Sequence, residues 1–373
     1  MGSGGGKREN AVAAEEHPTP GFPLARPRAI RHLRRSMTQK KLGCLGIVLV
    51  VVLALSLLLN LVFLAGESGA GKAPKFEEAV VVESKAAKDA KGEEAKIALI
   101  SLRGIITSSE PGSLGETMVD DLKMQLQQAA RDEKVRAIVL HVDSPGGEVT
   151  ASDMIYNAVR RVRDEHKKPI VVYMGSLAAS GGYYVACGGS YLMANETTLT
   201  GSIGVIMQTI NYEQLMGKVG VHTVTFKSGA FKDMLSGSRQ MTDAEKEYVQ
   251  GLIMQTYGKF VGIVARERQL DESALRSGLA DGRVVSGKDA MEAKLINSLG
   301  EIEDAYAKAM ELAKIKAATV IRYESPFKLG KLFRLLGQSE RSAKTTVEVK
   351  VADALAPKLE AGRLYYLPAF YAP

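Results

Sequence analysis

From residue 96 onward, short apolar runs alternate with segments whose apolar residues recur every three or four positions. The runs at 97–102 (IALISL), 135–142 (VRAIVLHV), 170–174 (IVVYM) and 191–194 (YLMA) have the length and β-branched content of buried strands. Between them, 117–131 places Met118, Leu122, Leu126 and Ala129 on one helical face. Residues 148–165 do the same with Met154, Ile155, Ala158, Val159 and Val162. Strands alternating with amphipathic helices predict an α/β fold with a largely parallel sheet. Further strands are expected at 202–207 and 222–226. Thr242-Asp243-Ala244-Glu245 forms a capping box and opens a long helix to about Arg268. Its apolar positions Tyr248, Leu252, Tyr257, Phe260, Val261 and Val264 suit core and subunit interface. After residue 325 the rhythm stops, and 327–336 (FKLGKLFRLL) is basic and amphipathic, fit for a membrane surface or for packing on the parent domain.

Upstream, residues 42–65 carry no charge over 24 positions, and about 20 apolar residues cross a bilayer core. The flank before it is rich in Arg and Lys, which places residues 1–41 in the cytoplasm and the rest outside it. The run starts too late and is too long for a cleaved signal, so it reads as an uncleaved transmembrane signal anchor. Cys44 precedes the apolar stretch rather than following it, which argues against lipidation. The predicted organisation is a disordered basic tail (1–41), the anchor (42–65), a polar stalk (66–95) that could be partly helical, a folded domain (96–325) and a C-terminal extension (326–373). The net charge of +7 invites a nucleic-acid reading. Nine Lys/Arg against three acids in residues 1–41 account for +6 of it, so the folded part is nearly neutral and that reading falls. Cys44 and Cys187 are too far apart in kind and place to pair.

The candidate chemistry centres on Ala178-Ala179-Ser180-Gly181-Gly182-Tyr183-Tyr184. A hydroxyl between small residues at a helix start suits nucleophilic attack, with free N–H groups able to hold an oxyanion. A plain serine N-cap is the competing reading. The strand at 135–142 runs into Asp143-Ser144-Pro145-Gly146-Gly147, and strand C-termini are where parallel sheets bind ligands. One glycine-bearing loop would supply the nucleophile and the other an N–H donor. The edge at 146–148, including Gly146 and Glu148, can pair with an extended peptide.

A serine nucleophile needs a base. Of the five histidines, His17 and His32 are on the tail, His166 lies in a charged run and His222 precedes a predicted strand. Only His141, two residues from Asp143, tempts as a triad member, and its place inside a strand makes a triad unpromising. The alternative is a lysine, since a desolvated ammonium can lose its proton near pH 7. Lys227-Ser228-Gly229-Ala230-Phe231-Lys232-Asp233 offers two, and composition does not choose between Lys227 and Lys232.

Three blocks in order, Ser144-Pro145-Gly146-Gly147, 174–184 (MGSLAASGGYY) and Thr200-Gly201-Ser202-Ile203-Gly204-Val205, followed by Ser228–Asp233, resemble the signal peptide peptidase A family in its short, single-repeat form. The likeness covers roughly residues 96–320. It implies a Clp-crotonase fold, a spiral of ββα units, here preceded by one transmembrane helix. It implies a membrane-bound Ser/Lys peptidase with Ser180 as nucleophile, Lys232 as general base, Ser202 bonded to the base, and the Gly147 and Gly181 N–H groups as oxyanion hole. It further implies signal-peptide substrates, a bacterial inner-membrane location with the catalytic domain outside the cytoplasm, and a homo-oligomeric ring whose sites combine Ser and Lys from neighbouring subunits. No metal or cofactor is expected. Lys294 stands where the family commonly has glycine, and 189–194 lacks a usual Asp. A crotonase-like acyl-thioester enzyme and a non-catalytic membrane scaffold are the alternatives.

Overall fold

The computed structural model describes residues 76–83, 94–108, 117–324 and 364–368, together with residues 46, 49–58 and 60. The chain divides into two compact units, Met1–Ala73 and Pro74–Pro373. In the first, residues 49–58 are helical. Apart from residues 46 and 60, the rest of the expected anchor and the tail 1–41 lie outside the described residues, as does the amphipathic stretch 327–336. Among the described residues no helix is long and apolar enough to cross a membrane.

The second unit is a mixed α/β fold built on a parallel-dominated sheet. Its strands are β1 (Glu77–Val82), β2 (Lys96–Arg103), β3 (Val135–Ser144), β4 (Gly147–Glu148), β5 (Ile170–Ala179), β6 (Tyr191–Ala194), β7 (Leu199–Gly201), β8 (Val284–Ser286), β9 (Ser298–Leu299), β10 (Thr319–Glu324) and β11 (Tyr365–Tyr366). Its helices are α1 (Met118–Arg131), α2 (Val149–Asp164), α3 (Gly181–Ala186), α4 (Glu213–Lys218), α5 (Asp243–Arg268), α6 (Glu272–Ser277), α7 (Gly287–Glu292) and α8 (Ile302–Leu312). The main sheet runs β1-β10-β2-β3-β5-β6-β9, with β7 on β5 and β8 on β7. Only β1/β10 and β7/β8 are antiparallel within it.

Strand alternation sorts the core into two faces. Ile138, Leu140 and Val142 of β3 join Leu122 and Leu126 of α1, Ile155 and Val159 of α2, and Phe260 and Val264 of α5. Ala137 and Val139 turn to the other face, against Ala305 and Ala309 of α8. The capping box of α5 forms as expected, between Thr242 and Glu245.

Two expected strands are corrected, and two flanking segments gain structure. In the stretch 66–95 the described residues include a strand, β1: Phe76 is buried, and Val80 and Val82 pair with β10 across a register shift. Residues 202–207 and 222–226 form no strand; in the first only Ile206 makes a bridge, and in the second every residue is exposed and has no ladder to join. An alternating pattern makes a strand only where a neighbouring edge accepts its hydrogen bonds. The C-terminal extension returns to the domain, since β11 pairs with β4.

Candidate active site

The path of β5 decides where Ser180 lies. Its first half pairs with β6, through Val171–Met174, and its last residues pair with β7, Ala178 opposite Thr200 and Ala179 opposite Gly201. The intervening Gly175-Ser176 shifts the strand between partners, and Leu177 opposite Leu199 opens the second ladder. Asp143 Oδ1 accepts the Leu177 N–H at 3.2 Å and Thr198 donates to the Gly175 carbonyl at 2.7 Å, which pins the shift. The ladder then delivers Ser180 beside Ser202: the Ser180 N–H donates to Gly201 O at 2.8 Å, and the Ser202 N–H to Arg283 O at 2.8 Å. Both serines are buried, and both have φ of 52°.

That backbone removes the plain N-cap reading. An N-cap residue has extended φ/ψ and its side chain accepts an amide from the first turn. Ser180 has φ 52° and ψ −115°, makes no such bond, and its Oγ is buried with no hydrogen-bond partner among the described residues. A non-glycine residue held there stores strain, of the kind seen where a strand turns sharply into a helix to present a nucleophile.

Glycines bring the second loop against it. Gly146 has φ +102°, and a Cβ there would fall 2.1 Å from Tyr366 O and 2.5 Å from the Gly181 nitrogen. A Cβ on Gly147 would fall 1.9 Å from Ile106 O. The Ser144 hydroxyl accepts the Gly146 N–H at 3.1 Å and holds the turn. Gly146, Gly147 and Gly181 therefore converge at one point beside Ser180. Glu148, also named from sequence, contributes its backbone to this edge, donating to Ile106 O at 2.8 Å, while its carboxylate turns to the Ser108 amide at 3.0 Å.

Beside that point lies a slot filled by the chain itself. β11 runs antiparallel to β4, with Tyr365 opposite Glu148 and Tyr366 opposite Gly147. The Val149 N–H donates to Leu364 O at 3.2 Å, and Tyr365 and Ile206 exchange both backbone hydrogen bonds at 3.0 Å. An extended peptide is thus paired on both edges, with the Tyr366 carbonyl at the glycine cluster.

The histidine route is closed by strand parity. His141 and Asp143 share the α8 face with Val139, whereas Ser144 and the helix after Ser180 belong to the other face. His141 lines a polar cavity of about 400 Å³ with Asp143, Tyr173 and Asn195, and Ser180 is not among its walls. Burial and then Arg103 hold its pKa below the ordinary value. His166 and His222 are exposed.

The two lysines separate. Lys227 Nζ pairs with Asp233 at 2.7 Å, and Arg239 bridges Asp233 at 2.6 Å and Glu245 of the α5 cap. Arg239 and then Lys227 hold the Asp233 carboxyl well below the usual range, and Arg239 with the Thr242 amide holds Glu245 at about 2. Lys227 is a tether. Lys232 lies exposed in the same turn, on an arm whose Phe226 is 94% and Val224 76% exposed. Lys294 has φ 60°, a left-handed conformation that glycine adopts with less strain.

Sequence reasoning missed Ile206, Ile106 and β11. The last had a signal, the apolar run Leu364-Tyr365-Tyr366-Leu367 closed by Pro368, but nothing to say which edge it would join.

A family model for peptidase family S49 matches residues 163–316, and one for Clp protease matches residues 93–209. The chain is 36% identical over 233 residues to a putative signal peptide peptidase SppA of Enterococcus faecium, covering 62% of this chain and 67% of that protein. It is 38% identical over 218 residues to a putative protease of Synechocystis, covering 58% and 74%. Against Protease 4 of Salmonella typhi it is 37% identical over 222 residues, 59% of this chain but 35% of that longer protein.

Proposed function

Because the chain belongs to peptidase family S49 and is a serine peptidase, we propose that it is a membrane-anchored endopeptidase working through a Ser180/Lys232 dyad. The observation that carries this is the buried, unpartnered Ser180 hydroxyl beside a slot that accepts an extended peptide on two edges. Ser180 Oγ attacks the peptide carbonyl while unprotonated Lys232 takes its proton. The oxyanion rests on the Gly147 and Gly181 N–H groups, the amine leaves with a proton, and water activated by Lys232 releases the acyl group. Ser202, next to Ser180 across the β5/β7 register, bonds the lysine and passes the proton on.

The arm bearing Lys232 supports a ring in which the lysine reaches a neighbour's serine. Exposed aromatic and aliphatic side chains on one arm mark an interface, and burial there would also favour an uncharged amine. The wider architecture is then the Clp-crotonase spiral, with 1–41 cytoplasmic, 42–65 a single membrane span, 66–95 a connection carrying β1, and the peptidase domain outside the cytoplasm of a bacterial cell. Its substrates are remnant signal peptides, which reach the slot as extended chains.

The test is hydrolysis of a signal peptide by the full chain in detergent. Ser180→Ala and Lys232→Ala should each abolish it. Undiminished cleavage by Ser180→Ala would refute the nucleophile, and loss in Lys227→Ala with full activity in Lys232→Ala would reassign the base.

A further inference from the structure

Between Met174 and Ala178 the backbone of β5 is longer than the strand beside it. On β3, Val142 faces Met174 and Ser144 faces Ala178, so Gly175, Ser176 and Leu177 lie opposite Asp143 alone. β5 therefore carries two extra residues, a bulge of the kind that re-aims a side chain next to a site. An even number leaves every later side chain on its face of the sheet but moves it along the strand. In a regular ladder Ser176 would face Ser144, and Ser180 would run about 7 Å beyond its present place, at about 3.3 Å per residue. A bulge also leaves backbone groups without ladder partners, and here two side chains take them up. Asp143 Oδ1 accepts the Leu177 N–H at 3.2 Å, and the buried Thr198 hydroxyl donates to Gly175 O at 2.7 Å. The Asn195 N–H, donating to that hydroxyl at 3.1 Å, fixes its place. Gly175 packs down on the same group: a Cβ there would fall 3.3 Å from Asp143 Cβ and 2.9 Å from His141 Nε2.

We infer that Asp143 and Thr198, from the α8 side of the sheet, are positioning residues that clasp the Gly175–Leu177 bulge and thereby set where Ser180 meets its substrate. The inference rests on Ser180 being the nucleophile and adds what places it. The path from clasp to hydroxyl is short. Leu177, Ala178 and Ala179 lie opposite Leu199, Thr200 and Gly201 of β7, and the Ser180 N–H follows them onto Gly201 O. A shift at Leu177 is thus passed along a continuous ladder to the serine. Moving a reacting group by about 1 Å can cost on the order of 100-fold in rate. Asp143 supplies an acceptor oxygen at this position, and the amide oxygen of an asparagine would supply the same. The Thr198 hydroxyl supplies a donor, which serine keeps and valine lacks. His141 lines the same cavity and holds neither end of the bulge.

The experiment measures kcat and KM for peptide hydrolysis by the full chain in detergent. Turnover is counted per serine that a fluorophosphonate labels at completion, so that a loss of folded chain does not register as a loss of kcat. Asp143→Ala should lower kcat by roughly 10- to 100-fold with KM within about 3-fold, and Asp143→Asn should restore kcat to within about 3-fold of the parent. Thr198→Val and Thr198→Ser form the matching pair, and they decide the question if Asp143→Ala fails to fold. His141→Ala should stay within about 3-fold of the parent. Parental kcat in both Asp143→Ala and Thr198→Val would overturn the inference. So would an equal loss in Asp143→Asn and Asp143→Ala, or a comparable loss in His141→Ala, since either would give Asp143 a part in charge or proton transfer. Hydrogen exchange across residues 175–180, followed in the Ser180→Ala chain, reads the clasp without catalysis: it should rise with Asp143→Ala and not with Asp143→Asn. That order without any Ser180-dependent cleavage in the parent would sink the peptidase mechanism and keep the clasp.

Discussion

Ser180→Ala and Lys232→Ala chains, each inactive alone, should recover activity when assembled together. Within one chain the Ser180 hydroxyl has no partner among the described residues and Lys232 is exposed on its arm. If each site takes its serine from one subunit and its lysine from the next, a site is complete only where a Lys232→Ala subunit supplies the serine and a Ser180→Ala neighbour supplies the lysine. In a head-to-tail ring mixed randomly from equal amounts, about a quarter of the sites meet both conditions. The two chains, differently tagged and co-expressed, would be purified through both tags and assayed for hydrolysis per subunit against the parent. A companion series mixes the parent with the doubly substituted chain. Shared sites make its activity fall as the square of the parent fraction, to roughly a quarter at equal amounts, whereas self-contained sites make it fall linearly to roughly a half. A linear series together with inactive mixed rings would refute sharing.

Two further outcomes follow from the described geometry. Gly146→Ala should abolish peptide cleavage and labelling by a serine-reactive fluorophosphonate, with circular dichroism unchanged, because its Cβ would meet Tyr366 O at 2.1 Å and the Gly181 nitrogen at 2.5 Å; cleavage within a few-fold of the parent would contradict the close approach. Glu267 of α5 accepts from Tyr156 at 2.6 Å and Arg163 at 2.9 Å on α2. Burial alone would raise its pKa, but those hydrogen bonds hold it below the ordinary value. A depressed carboxyl stabilises the fold above its unfolded pKa of 4.5, and that contribution is lost as pH falls through the folded value. Glu267→Gln should therefore cost about 1–3 kcal/mol at pH 7 by thermal or denaturant unfolding and less as the pH drops below 4.5; an equal deficit at pH 7 and pH 3 would show the contact to be neutral in character.

The strands at 97–102, 135–142, 170–174 and 191–194 and the helices between them were legible because each has a buried face with its own period. β3 and β5 run farther than their apolar stretches, to Ser144 and Ala179, since ladder partners and the Asp143 and Thr198 contacts carry polar and small residues along. Residues 222–226 show the converse: the same alternation finds no edge and stays irregular and exposed. The adjacency of Ser180 and Ser202 is a product of the β5/β7 register, which no local pattern encodes. Phe260 read as core or interface by its spacing, and its burial agrees; its role as a wall against Tyr366 depends on a segment more than a hundred residues away.

The choice between lysines joins these strands of argument. An unpartnered buried hydroxyl costs about 1–3 kcal/mol, and a serine at φ 52° costs about 1–3 kcal/mol more. Both fall on Ser180, while on the arm Phe226 and Val224 leave apolar surface in water. Lys227 can relieve none of this, because Asp233 holds its ammonium and Arg239 locks Asp233 to the α5 cap. That lock fixes the base of the arm and leaves Lys232 projecting from it. Docking the arm on a second copy would cover the exposed aromatic and give the Ser180 hydroxyl an acceptor in one step. In the proposed ring, the contact that completes the site would thus also relieve the unpartnered serine hydroxyl and cover the exposed arm.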